Sequence, residues 1–117
     1  MVRDTLPKTF LLENVKGLVN WSKGKALQKI IEEAGKPVTF KRRKYTYKIS
    51  FKVLNAVDYG APQFRERIII VGNRLNKNFE FPEHTHRDPC CLNDDLFLPD
   101  NLPNWKTAGD ALSLIHI

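Results

Sequence analysis

An α/β fold is predicted for this chain, and three observations predict it. Thr9 to Val15, TFLLENV, is an apolar run too short for a helix. Leu27, Ile30, Ile31 and Ala34 recur at helical spacing. An alternating segment from Tyr45 to Val53 leads through a Gly and Pro turn into a second apolar run, Ile68 to Val71. Strand, helix and a terminal antiparallel hairpin then belong to one otherwise parallel sheet.

Each element has its own physical reason. TFLLENV lacks alternation, which suits a strand covered on both faces. Its apolar part stops at Glu13 and Asn14, so a carboxylate is expected at the strand's carboxyl end, the edge of an open α/β sheet where ligands sit. Gly17 breaks the chain, and a helix is predicted from about Asn20 to Ala34 with Gly35 and Pro37 as its stop. Lys41, Arg42, Arg43 and Lys44 form a compact basic connector that could touch phosphates. Tyr45, Tyr47, Ile49, Phe51 and Val53 alternate with polar residues, so one face of that strand is buried near a sheet edge. Asp58 to Gln63 turns the chain through Gly60 and Pro62. Ile68 to Val71 follows as an interior strand. Arg65 and Arg67, two residues apart at its start, are expected on one face, where they suit a polar or anionic ligand.

The totals bound the possibilities. With 117 residues, 42% of them apolar, the chain can form one small domain or a piece of a larger one. Its formal charge of +6 and pI near 9.5 are compatible with a polyanionic partner. No apolar run approaches membrane-spanning length and no signal peptide is recognisable, so a cytoplasmic protein without membrane contact is expected. Cys90 and Cys91 are adjacent and imply no disulfide framework. They close the stretch HTHRDPCC, whose spacing matches no familiar zinc pattern, so no metal is expected. Pro82, Pro89, Pro99 and Pro103 punctuate a loop-rich region, and Thr107 to Asp110, TAGD, has the form of a capping box that opens a helix.

LLENVKGL and DYGAPQFRER running into IIIVGNR, with FPEHTH and WKTAGDAL behind them, together resemble the DNA cytosine-5 methyltransferase family. The resemblance runs in order from about Leu6 to Ala111. It implies the C-terminal part of a Rossmann-like, S-adenosylmethionine-dependent methyltransferase sheet. Residues 1–75 would be a partial catalytic domain, and 76–111 a loop-rich approach to a target-recognition region.

In that family a cytosine is turned out of double-stranded DNA, because its reacting carbons are inaccessible in the stack. A cysteine thiolate adds to ring carbon 6, and carbon 5 then takes the methyl group. By resemblance, Glu13 hydrogen-bonds ring nitrogen 3 and the exocyclic amine, Arg67 contacts the cytosine carbonyl oxygen, and Arg65 helps to order the pocket. Asn14 and Gln63 support it. Lys41, Arg42, Arg43 and Lys44 are candidate phosphate contacts.

The family's glycine-rich cofactor loop and its proline-cysteine nucleophile loop do not precede Glu13 in this sequence. The Pro89-Cys90 pair follows the arginine motif, so chain order rejects it as the nucleophile. Hence a central fragment is expected, inactive in methyl transfer by itself, with Met1 an internal methionine of a bacterial or phage parent. LSLIHI, residues 112–117, is the translation of CTG TCT CTT ATA CAC ATC, the end of a transposase-based sequencing adapter, and is set aside from fold reasoning. Two other readings stay open: a non-catalytic basic nucleic-acid-binding module, and a tRNA cytosine-5 methyltransferase fragment.

Overall fold

The computed structural model describes residues 1–90 and 101–113, so Cys91, Pro99 and the last four residues of LSLIHI lie outside the described residues. In chain order the elements are α1 (Val2–Thr5), β1 (Thr9–Val15), 3-10 turns at Lys16–Val19 and Trp21–Gly24, and α2 (Lys25–Gly35). There follow β2 (Val38–Phe40), β3 (Arg43–Tyr45), β4 (Lys48–Asn55), a third 3-10 turn at Ala56–Tyr59, β5 (Glu66–Asn73) and α3 (Ala108–Ser113). Two compact units contain them: Met1–Val53 with Arg67–Phe81, and Leu54–Glu66 with Pro82–Ile117.

The first unit is built on a three-stranded sheet of order β1-β5-β4. β5 takes the centre because its sequence is apolar on both faces: Ile68 is fully buried, and Ile70 and Val71 nearly so. α2 lies on that sheet through the predicted stripe. Leu27 joins Leu18, Ile68 and Ile70 in the core, with Ile30, Ile31, Ile49 and Val53 packed around them. β4 is an edge strand, as its alternation predicts.

Several expectations are corrected. β1 is not covered on both faces: Leu11, Leu12 and Val15 are exposed. The reason is that no β1 residue enters the core beneath α2, and β1 has only β5 as a neighbour among the described strands. That neighbour is antiparallel, with Thr9 opposite Asn73 and Val15 opposite Arg67, so the expected parallel partner of β1 is absent among the described residues. Glu13, third from the end of β1, does lie at the strand's carboxyl end as expected.

The helix begins at Lys25 instead of Asn20, because Ser22 and Lys23 take positive φ angles of 53° and 56° and Gly24 follows at 82°. Its stop is as predicted: α2 ends at Gly35, and Lys36 is extended, as the residue before a proline prefers to be. The basic connector is not a plain loop. Lys41 and Arg42 form a two-residue hairpin turn, with φ of 48° and 65°, between β2 and β3. The long alternating strand is consequently interrupted after Tyr45, and Phe51 is half exposed where a buried residue was expected.

Tyr47, buried, donates its hydroxyl to the Pro7 carbonyl at 2.6 Å, and the Arg74 guanidinium covers the Tyr45 ring at 5.0 Å. The first contact ties the chain after the β2–β3 hairpin to the residues before β1, and the second ties β3 to the end of β5. Next to them Gly72 lies opposite Phe10, whose ring fills the space a side chain would need: a Cβ on Gly72 would stand 2.2 Å from Phe10 Cε1.

In the second unit the predicted capping box closes α3. Thr107 Oγ1 accepts from the Asp110 amide at 3.1 Å, and Asp110 Oδ2 accepts from the Thr107 amide at 2.7 Å. Leu112 and Ser113 continue that helix.

Candidate functional site

In the first unit, Glu13 and Arg67 meet. Glu13 is paired directly with Ile69, and Arg67 with Val15, which makes the two charged residues diagonal neighbours on one face of the ladder. Arg67 Nε stands 2.8 Å from Glu13 Oε1, an ion pair between side chains that are 27% and 51% exposed. Glu13 is thus held in one orientation while half of it faces outward. Asn14, next along β1, turns its Oδ1 back onto the Val15 amide at 2.8 Å.

KRRK does not share this place. Its hairpin is tied to Pro7 and Arg74, whereas the Glu13–Arg67 pair sits toward the other end of the same ladder. The four steps from Thr9 to Glu13 alone span about 13 Å at the usual strand rise.

Within the second unit, Gln63, Phe64 and Arg65 form the exposed end of a turn that starts at Asn55. The Asn55 side chain caps the 3-10 turn through the Val57 amide and accepts from the Arg65 amide at 2.9 Å. The Ala56 amide donates to the Arg65 carbonyl at 3.0 Å, closing the turn from its other side. Arg65 therefore has a fixed backbone and an exposed side chain. It immediately precedes β5, in which Arg67 lies.

Sequence reasoning treated Asp58, Tyr59 and Gly60 only as a turn, yet each is engaged by the segment after Pro82. The Asp58 carbonyl accepts from the Thr85 and His86 amides, both at 3.0 Å, and its Oδ1 accepts from Trp105 Nε1 at 2.9 Å. His84 Nε2 stands 3.8 Å from Asp58 Oδ2. Tyr59 donates its hydroxyl to the Pro82 carbonyl at 2.9 Å, and its ring meets His84 edge-on. Burial, and then the neighbouring Asp58 carboxylate, push the Tyr59 phenol pKa upward, which keeps the donor proton in place. Gly60 has a φ of 91°, and a Cβ there would stand 2.7 Å from His86 Cε1. No local pattern in the sequence signals these contacts, whose partners lie 23 to 47 positions apart.

His84, Thr85 and His86 of HTHRDPCC are thus engaged with the Asp58–Gly60 turn. Among the described residues no group of His, Cys, Asp and Glu is arranged to hold a metal. Cys90 is exposed, and its amide donates to Asp88 Oδ1 at 2.8 Å. No helix among the described residues is long and apolar enough to cross a membrane.

The chain that carries this geometry is similar to several type II methyltransferases. It is 50% identical over 115 residues to the type II methyltransferase M.AquIA of Picosynechococcus sp., covering 98% of this chain and 46% of that protein. It is 39% identical over 103 residues to M.BsuRI of Bacillus subtilis, covering 86% and 22%, and 44% identical over 118 residues to M.FnuDI of Fusobacterium nucleatum, covering 96% and 29%. The chain thus spans less than half the length of these relatives. The family described as C-5 cytosine-specific DNA methylase matches residues 1–106, and the chain belongs to that family.

Proposed function

We propose that this chain forms one wall of the base pocket of a DNA cytosine-5 methyltransferase, an enzyme that moves a methyl group from S-adenosylmethionine to carbon 5 of a cytosine extruded from duplex DNA. The observation that carries this reading is the Glu13–Arg67 ion pair. A carboxylate held by an arginine keeps one oxygen directed and leaves the other, Oε2, without a hydrogen bond among the described residues. Such an oxygen can accept from the exocyclic amine of a cytosine, and the adjoining guanidinium can donate to its carbonyl oxygen. Those contacts strengthen as charge develops on the ring, so they favour the transition state. The family likeness would give Arg65, Asn14 and Gln63 supporting roles in base binding, and the sheet would be the C-terminal part of a Rossmann-like one.

S-adenosylmethionine supplies the methyl group when bound, but the cavity beside α2 among the described residues does not fit it. A cavity of about 630 Å³ between α1 and α2 is mostly apolar, and its acids are already engaged: Asp4 by the terminal amine and Glu33 by Arg3 and Lys36. No step is assigned to this chain through the cofactor. Lys41, Arg42, Arg43 and Lys44, as phosphate contacts, would serve DNA passing the far end of the sheet. A cytoplasmic bacterial or phage parent accords with the reading.

The test is a graft. This chain replaces the matching segment of M.AquIA, and transfer of labelled methyl groups from S-adenosylmethionine to duplex DNA is measured. The graft is expected to methylate, and Glu13→Gln and Arg67→Ala are expected to lower the rate at least 100-fold while the graft stays folded. Full activity in Glu13→Gln would sink the reading.

A further inference from the structure

The second unit contains a connection that the base-pocket reading leaves unused. Residues 82–87 and 103–105 are drawn together by a short parallel bridge: the Arg87 amide donates to the Pro103 carbonyl and the Trp105 amide to the Arg87 carbonyl, both at 2.9 Å. This bridge delivers the Trp105 indole to Asp58, and its ring edge to Phe64 with centroids 6.3 Å apart. Phe64 is the residue before Arg65. Thus a segment more than 40 positions downstream grips the arginine-bearing turn at both its start and its tip.

We propose that the Trp105–Asp58 hydrogen bond is a latch, and that Asp58 and Trp105 are positioning residues for Arg65. Three features converge on that assignment. The Asp58 side chain is only 17% exposed, so an indole N–H aimed at it satisfies an acceptor that water reaches poorly. Its main chain is fixed separately by the Thr85 and His86 amides, so Oδ1 serves Trp105, with His84 Nε2 3.8 Å from Oδ2, while the turn is already anchored. Finally, Asn55 transmits the geometry: it caps the 3-10 turn containing Asp58 and accepts the Arg65 amide, so a shift of Asp58 reaches Arg65 through one side chain. Opening the latch releases the Phe64–Trp105 contact as well, and the turn loses its restraints at both ends. The functional weight of this latch rests on Arg65 belonging to the base pocket, but its existence does not.

Hydrogen exchange on the full chain, read by NMR, tests it without any enzymatic activity. In Trp105→Phe, which keeps an aromatic ring and removes the donor, amide exchange at Phe64 and Arg65 is expected to accelerate at least tenfold, with Ile68 and Ile70 unchanged. Asp58→Asn keeps an acceptor oxygen and is expected to retain protection, whereas Asp58→Ala is expected to behave like Trp105→Phe. Unchanged exchange at Arg65 in Trp105→Phe overturns the latch, as does equal loss in Asp58→Asn and Asp58→Ala. If the latch holds in this experiment while Glu13→Gln leaves the graft fully active, the pocket reading alone has failed.

Discussion

Glu13 and Arg67 are joined diagonally across the β1–β5 ladder, Nε to Oε1 at 2.8 Å, with the directly opposed partners Ile69 and Val15 beside them. Both side chains are partly solvated, so the bond orients more than it stabilises. Removing it by Glu13→Gln is expected to cost about 0.2–1 kcal/mol in urea unfolding, as for other exposed pairs. The same substitution removes a carboxylate from the pocket. A large loss of methyl transfer in the graft with a small loss of stability is the expected combination.

Gly72 has no room for a methyl group, because the Phe10 ring lies where its Cβ would be. Gly72→Ala is expected to destabilise the first unit by about 1–3 kcal/mol, the range for overpacking. Phe10→Leu in the same chain should recover part of that loss. Thermal melts of the two single variants and the double variant measure the coupling.

Burial separates β5 from β1 sharply. Ile68→Ala, at a fully buried site, is expected to cost about 2–5 kcal/mol. Leu11→Ala, at a 62% exposed site, is expected to stay within about 0.5 kcal/mol of the parent chain. Comparable losses in denaturant titrations of the two variants would contradict the placement of the core on the β5 side of the sheet.

The carboxyl of Asp110 is held below its ordinary pKa, first by the Thr107 amide, then by the Thr107 hydroxyl, with a smaller contribution from Lys106. A folded-state pKa below the unfolded value means that the cap's contribution is complete above the unfolded value and is lost as pH falls through the folded one. α3 is therefore expected to be insensitive to pH between 5 and 8 and to fray below about pH 4. Carbon chemical shifts of Ala108 to Ala111 report it, and Thr107→Ala should remove the pH dependence together with the helix.

Much of this was legible in the sequence because it rests on local chemistry. The α2 stripe, the apolar centre of β5 and the Thr107–Asp110 box follow from periodicity and capping alone. What escaped reading depended on backbone conformations that residue types disfavour. Lys41 and Arg42 at positive φ hid the β2–β3 hairpin inside what looked like a basic connector, and Ser22 and Lys23 delayed α2 by five residues. β1 looked buried because hydrophobicity says what a segment favours, not what stands next to it. Asp58 and Trp105 are 47 positions apart, and no local pattern links them.

The contact between Phe10 and Gly72 also acts at a distance. A one-residue slip of β1 would bring the ring against a neighbour that has a side chain, and would turn Glu13 to the opposite face of the sheet. The glycine and the ring therefore work as a key and its slot, setting the alignment of the whole ladder from the end remote from the charged pair. The spacing between a carboxylate and a guanidinium is gauged by a residue that touches neither, and a single added methyl at that slot would put the gauge out of true.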